Sequence, residues 1–366
     1  MDAPWRLIPL RDAHPPAAPA EARARGWLRD LLAGWRRDGT PEDEVAPAED
    51  RLRPIEQARL ERLAPAPPRA AQHAALDTWR AQVERGILLR PDDGGWDAAL
   101  DEERPGDVAL LRPPGGDAPP TELPDALLAR LDDPAPLHLA RLEGWWLRHH
   151  DGLEALRALL ARLRARSGPW TADVTPWAWA WMRQLLPQAQ ALPAAWTVAP
   201  LDGAALGAWL GGPSPVRVRG TGDAPGAAFF RSLALRAQGG AGAARAIWLA
   251  CLRDGAEEAR AEGEDPQAEA TVWLRSPDEV ELPDTVGLDR DDLFVVHAAL
   301  LHGPASEARL TRSLATLAPQ VGPALATLAA RGLLTRAEDG LWRARPEALP
   351  ALDARLAAEA FARADA

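Results

Sequence analysis

Residues 170–187 read WTADVTPWAWAWMRQLLP, and the fold turns on how their alternating tryptophans are arranged. On a strand, Trp177, Trp179 and Trp181 would stand on one face as an aromatic platform. The flanking residues predict a helix instead. Thr175 is a good N-cap, Pro176 suits the first helical position and Pro187 forbids continuation, so a helix over 176–186 follows a strand over 170–174. Trp177 and Trp181 then share a face at i, i+4, with Trp179 about 160° from each. The strand stays open as the alternative.

On either side of this stretch the same strand-then-helix unit recurs. RGILLRP, DVALLRP, PLHLARLEGWW and WTVAPLDG are short apolar runs separated by amphipathic helices, with proline or glycine at nearly every strand end. That alternation predicts an α/β layer with a largely parallel sheet. Residues 226–253 read as two helical segments around Gly239-Gly240, residues 255–268 as an acidic exposed loop, and TVWLRSPDEVELPD as an extended pair. Towards the end, DDLFVVHAALLHG, SEARLTRSLA and PQVGPALATLAARGLL give three helices, followed by a hairpin turning at Asp339-Gly340 and one further helix. Three helices and then a β-wing is the winged-helix order. Ahead of all this, Trp27, Leu28, Leu31, Leu32 and Trp35 recur at helical spacing inside proline-rich text. The expected organisation is a helical, proline-rich arm over 1–75, an α/β core over 76–212, a helical lid and acidic connector over 213–288, and a winged helix over 289–366.

Composition narrows the chemistry. The chain of 366 residues has 16 Trp, 36 Pro and 29 Gly but no Lys, Tyr or Asn, the signature of a very GC-rich bacterial genome. Its tryptophans therefore need no functional explanation, because Trp fills core positions that Phe or Tyr would otherwise take. A net charge of -11 and a pI near 5.2 oppose sequence-independent binding to phosphate backbones. One cysteine, Cys251, allows no intramolecular disulfide, and no apolar run reaches the roughly 18 residues a span requires, so a cytoplasmic location without membrane insertion is expected.

RLEGWWLRHHDGLEALRALLARL resembles a Walker B strand with its following helix, and WTADVTPWAWAWMRQLL resembles a sensor strand and its helix. WTVAPLDGAALGAWL and FFRSLALRAQGGAGAARAIWLACLR resemble the entry to a lid and the lid's glycine-broken stretch. Over residues 85–350 the chain thus resembles the core, lid and winged helix of AAA+ and STAND-type P-loop NTPases. The resemblance implies a P-loop-NTPase-like core, and the departures imply that it is degenerate. A phosphate loop needs Gly-Lys-Ser/Thr, whose lysine neutralises the β- and γ-phosphates and whose hydroxyl binds Mg²⁺. The matching stretch, RGILLRPDDGGWD over 85–97, offers Asp92, Asp93, Gly94 and Gly95. At the Walker B position Arg141 replaces a metal-binding acid, leaving Glu143 alone. A pseudo-ATPase with no catalytic residue, no cofactor and no metal is the expectation.

Other chemistry reads weakly. His149-His150-Asp151 is a poor metal set, because adjacent helical residues diverge by about 100°, and Asp151 reads better as a helix cap. GxSxG and HExxH are absent. A winged helix usually reads DNA with its third helix, yet residues 319–332 carry only Gln320, Thr327 and a terminal Arg331. The expected function is a non-catalytic protein-interaction or scaffold role, with another protein as partner. Trp27, Trp35, Trp145 and Trp146 are candidate anchors, and Arg309, Arg312, Arg336 and Arg343 are candidate surface contacts. Two alternatives stay open: a DNA-binding regulator using those arginines, and a nucleotide-binding switch without hydrolysis in which Arg85 or Arg90 replaces lysine.

Overall fold

The apolar runs of the middle segment pair side by side. The computed structural model describes residues 5–16, 63–90, 96, 99–100, 108–113, 125–211, 216–218, 224–254 and 272–361. Within them β1 (Leu7–Pro9), β2 (Arg85–Leu89), β3 (Ala109–Leu111), β4 (Leu137–Leu139), β5 (Trp170–Val174) and β6 (Ala195–Val198) form one sheet in the order β1-β6-β2-β5-β4-β3. Strands β2 to β6 are mutually parallel, and β1 lies antiparallel to β6 with Leu7 opposite Val198. The fold class is α/β with a mostly parallel sheet.

Alternation along each strand explains the layers. In β2, Leu88 points to one face, against Trp79 of α1 (Arg69–Gln82) and Trp96, whereas Ile87 and Leu89 point to the other. That second face is covered by α2 (Asp125–Asp132), α3 (His150–Ala165) and α4 (Pro176–Leu185). Strands buried on both faces are expected to be apolar throughout. Here β4 and β5 depart from that rule, because His138, Thr171 and Asp173 alternate with Leu137, Leu139, Trp170, Ala172 and Val174 and share the opposite face.

The stretch over 170–187 forms a strand and a helix. The Thr175 hydroxyl accepts the Ala178 N–H at 3.2 Å, Pro176 opens α4, and Pro187 begins a separate short helix, α5 (Pro187–Gln190). All three tryptophans are buried, so none forms a platform. Trp179 and Trp181 enter the core under the sheet, where Trp181 stacks on Trp146 with ring centres 4.9 Å apart. Trp177 enters the core of the C-terminal helices. One corrected detail is that α3 begins at His150, with His149 at its N-cap, so Asp151 lies in the first turn rather than capping it.

After the sheet come α6 (Gly203–Leu210), β7 (Val216–Val218), α7 (Ala227–Arg236) and α8 (Ala241–Cys251), whose buried faces join the core on the Leu88 side. Helices α7 and α8 break at Gln238 and Gly239, both with positive φ; a Cβ at Gly239 would meet Pro200 at 2.6 Å. The extended pair expected within 271–284 is different in the structure. There β9 (Val272–Leu274) is the middle strand of a small sheet, between β7 and β8 (Leu252–Asp254). The C-terminal unit runs α9 (Arg290–His302), α10 (Glu307–Ser313), α11 (Ala318–Ala330), the hairpin β10 (Leu334–Arg336) and β11 (Trp342–Ala344), and α12 (Leu349–Ala358). Asp289 and Asp292 form a capping box on α9, and a bridge between Ala305 and Trp342 ties the connection from α9 to α10 to the hairpin. Among the described residues no helix is long and apolar enough to cross a membrane.

Candidate functional site

In open α/β sheets, ligands gather at the carboxyl ends of the strands. At those ends this protein carries a buried ionic cluster. Arg90 follows β2 directly, its N–H extending the ladder to the Val174 carbonyl at 2.8 Å. Its guanidinium donates to Asp173 Oδ1 at 2.6 Å and to Glu143 Oε1. Asp173 Oδ1 also accepts the Arg141 N–H at 3.1 Å, an approach made by the left-handed backbone of Arg141, φ 50°. Glu143 Oε2 accepts the Thr175 N–H at 3.2 Å. His138 Nε2 lies 3.2 Å from Asp173 Oδ2, and its Nδ1 lies 2.8 Å from Thr171 Oγ1. Arg90, Glu143, Asp173 and His138 are each at most 2% exposed.

The two carboxyl groups respond differently to this setting. Burial pushes Asp173 up, but the Arg90 guanidinium, the His138 hydrogen bond and the Arg141 N–H together outweigh it, and Asp173 is held below the usual carboxylate value. For Glu143, burial prevails over Arg90, the Asp173 charge adds to it, and the carboxyl is raised. Both carboxylates are counter-ions of Arg90. Thr171, His138 and Asp173 have the order of a nucleophile, base and acid. His138 and Thr171 are cross-strand neighbours within the sheet, and both are buried.

The C-terminal unit closes over this end of the sheet. Arg309 of α10, only 9% exposed, donates through Nη2 to the carbonyls of Glu143, Gly144 and Trp146 at 3.2, 3.3 and 3.0 Å. The Thr175 hydroxyl donates to the Leu301 carbonyl at 3.2 Å. Leu301 packs in the core under the sheet, as Trp177 packs in the C-terminal core.

Several sequence-based expectations change here. Trp145 and Trp146 are 4% and 0% exposed, so they are core side chains rather than surface anchors; Trp145 Nε1 donates to the Ala140 carbonyl at 3.1 Å. Arg309 binds the chain's own core, which corrects its assignment as a surface contact. Glu143 is not a solitary acid but an ion-pair partner of Arg90. Arg312, Arg336 and Arg343 are exposed; Arg343 pairs with Asp339, and Arg336 Nε donates to the Gly340 carbonyl at 3.3 Å. Arg85, at the amino end of β2, donates to the Arg166 carbonyl at 2.6 Å and is remote from the cluster. Trp27, Trp35, Asp92, Asp93, Gly94 and Gly95 lie outside the described residues. Among the described residues, no group of three His, Cys, Asp or Glu could hold a metal ion. Sequence reasoning missed Asp173 and His138 and met Arg90 only as a lysine substitute. Their signal was one ionisable residue in, or at the end of, an otherwise apolar strand.

No family profile and no curated protein matches the chain. Among solved structures it is similar to Cdc6p from Pyrobaculum aerophilum, at 14% identity and a TM-score of 0.32, over 84% of this chain and 100% of that one. It is also similar to the ORC2 protein of Aeropyrum pernix in its ADPNP-ADP complexes, at 14% identity and a TM-score of 0.31, over 87% and 97% of the two chains. A third is a single-residue variant of Thermotoga maritima RuvB, at 14% identity and a TM-score of 0.28, over 78% and 91%.

Proposed function

We propose that this chain is a non-catalytic protein-interaction or scaffold protein, built on a degenerate AAA+-like ATPase core with a C-terminal winged helix and working in the cytoplasm. The observation that carries the reading is the saturation of Arg90. A nucleotide triphosphate needs a cation at the carboxyl end of the first core strand to meet its β- and γ-phosphates. In this lysine-free chain the cation placed there is Arg90, and two buried carboxylates already hold it. A phosphate competing for the guanidinium would leave Asp173 and Glu143 buried without their partner, a loss on the order of 3–5 kcal/mol. Glu143 is likewise engaged, with both oxygens occupied.

Charge argues against DNA as the partner. The outward face of α11 presents Gln320, Pro323, Ala326 and Thr327 and no charge; of the exposed hairpin arginines, Arg343 is neutralised by Asp339 and Arg336 donates to the Gly340 carbonyl. A neutral helical face and an acidic chain fit a protein partner better than a phosphate backbone. The test is titration calorimetry of the full chain with ATP and with GTP, with and without Mg²⁺. No heat of binding is expected at nucleotide concentrations up to about 1 mM, an affinity weaker than about -4 kcal/mol. Micromolar binding of either nucleotide would overturn the reading.

A further inference from the structure

The seam between α9 and the α/β unit contains two imidazoles that the ionic cluster does not use. His297 and His302 are 2% and 4% exposed. Each faces the same residue of the core. The Arg148 backbone N–H donates to His302 Nε2, and the Arg148 guanidinium lies against His297 Nδ1, both at 3.4 Å. In both contacts the imidazole nitrogen accepts, which requires a neutral ring, because an imidazolium has no acceptor. Aromatic rings complete the surroundings: Trp146 stands 5.2 Å from His302, and Phe361 stands 5.0 Å from His297.

We propose that this seam is a proton-operated latch, in which protonation of His297 and His302 opposes two donors at Arg148 and releases the C-terminal unit from the α/β unit. The charges around the pair favour release. Arg148 and Arg309 are the cations that face it, and Arg309 bridges to the carbonyls of the same core loop. Glu143 is the carboxylate nearest the end of α9, with Oε1 3.6 Å from where a Cβ on Gly303 would lie, but it is bound to Arg90 and to the Thr175 N–H. Burial also raises the Glu143 carboxyl, so it loses charge as the medium acidifies; the Glu143 backbone hydrogen bond favours a protonated His302, but burial and Arg309 outweigh it. Further charged groups lie on α9 itself, Arg290, Asp291 and Asp292, and on the elements packed against it, Glu307 and Arg312 of α10 and Asp353 of α12. Arg183 of α4 lies over Trp179, Arg343 of β11 pairs with Asp339, Arg331 after α11 binds the Val286 carbonyl, and Arg355 of α12 pairs with Glu359.

The direction follows from linkage. Burial and then Arg148 push His297 down to about 3, and burial and then Arg309 push His302 well below its ordinary 6.5. Both are lowered in the closed state, so closure is fully supported above 6.5 and loses support as the pH falls from 6.5 towards 3. Each histidine shifts the open-to-closed ratio by up to about tenfold per pH unit in that window. Opening breaks the Arg309 and Thr175 bonds and separates Leu301 and Trp177 from the cores they complete.

The test uses the full chain, scanned from about pH 8 to about pH 4 by small-angle X-ray scattering with far-UV circular dichroism on the same samples. The expected result is a rise in radius of gyration at constant helix content, with a midpoint above about pH 4. In His297→Gln/His302→Gln, whose amides accept hydrogen bonds without titrating, that midpoint moves down by at least about one pH unit. No expansion across the scan, expansion that coincides with loss of helix, or an unmoved midpoint in the double variant would each overturn the proposal. If the double variant fails to fold at neutral pH, histidine-ring NMR of the natural chain decides instead. Two rings that stay neutral until the expansion and shift with it support the latch; rings that titrate independently of the expansion overturn it.

Discussion

Arg90 shows how much one side chain can determine. It is the single guanidinium shared by Glu143 and Asp173, and all three are essentially out of water. Arg90→Met is expected to destabilise the protein by about 3–5 kcal/mol, read as a lower urea midpoint, because it leaves the carboxyl groups buried without their counter-ion. A loss below about 1 kcal/mol would mean that water reaches the cluster. Asp173→Asn is expected to cost more than Glu143→Gln, since Asp173 is held ionised and Glu143 is already raised towards its neutral form. The sign with pH follows. Asp173 is depressed, so its stabilisation is complete above its ordinary 3.8 and is lost as the pH falls through its lowered value. The residues of this cluster were visible in the sequence, but their meeting was not. Arg90 is separated from Glu143 and Asp173 by 53 and 83 positions, and only the side-by-side placement of β2, β4 and β5 brings them together.

Among the elements, α4 was the most legible and carries the clearest single-site test. Thr175, Pro176 and Pro187 marked its ends through local chemistry that any chain would obey. Thr175→Ala removes both the cap on Ala178 and the bond to the Leu301 carbonyl, and a loss of about 1–2 kcal/mol is expected in a urea melt. Thr175→Ser keeps the hydroxyl and should recover most of it; a serine variant as weak as alanine would assign the effect to the methyl group. What the sequence could not reveal was the destination of each tryptophan. Helical geometry grouped Trp177 with Trp181 against Trp179, whereas the cores take Trp179 with Trp181 and Trp177 apart, because the surrounding elements are distant in the chain. The partners of β9 were hidden for the same reason: β7 and β8 are set apart from it in the chain, and strand pairing leaves little local trace.

Among the described residues, the α/β class and the mostly parallel sheet were legible because hydrophobic period and turn residues repeat. The closure of the C-terminal unit over the strand ends was not. It depends on contacts such as Arg309 to Glu143, 166 positions apart, between residues that each read as ordinary surface or site positions on their own. The tryptophans of α4 then have a consequence for heating. A single short helix gives Trp177 to one core and Trp179 and Trp181 to the other. Neither core can lose its order without opening a hole in its neighbour. Scanning calorimetry at about pH 8 should therefore record one endotherm, with matching van't Hoff and calorimetric enthalpies across both units. Two resolved endotherms under those conditions would mean that the shared helix does not couple their melting.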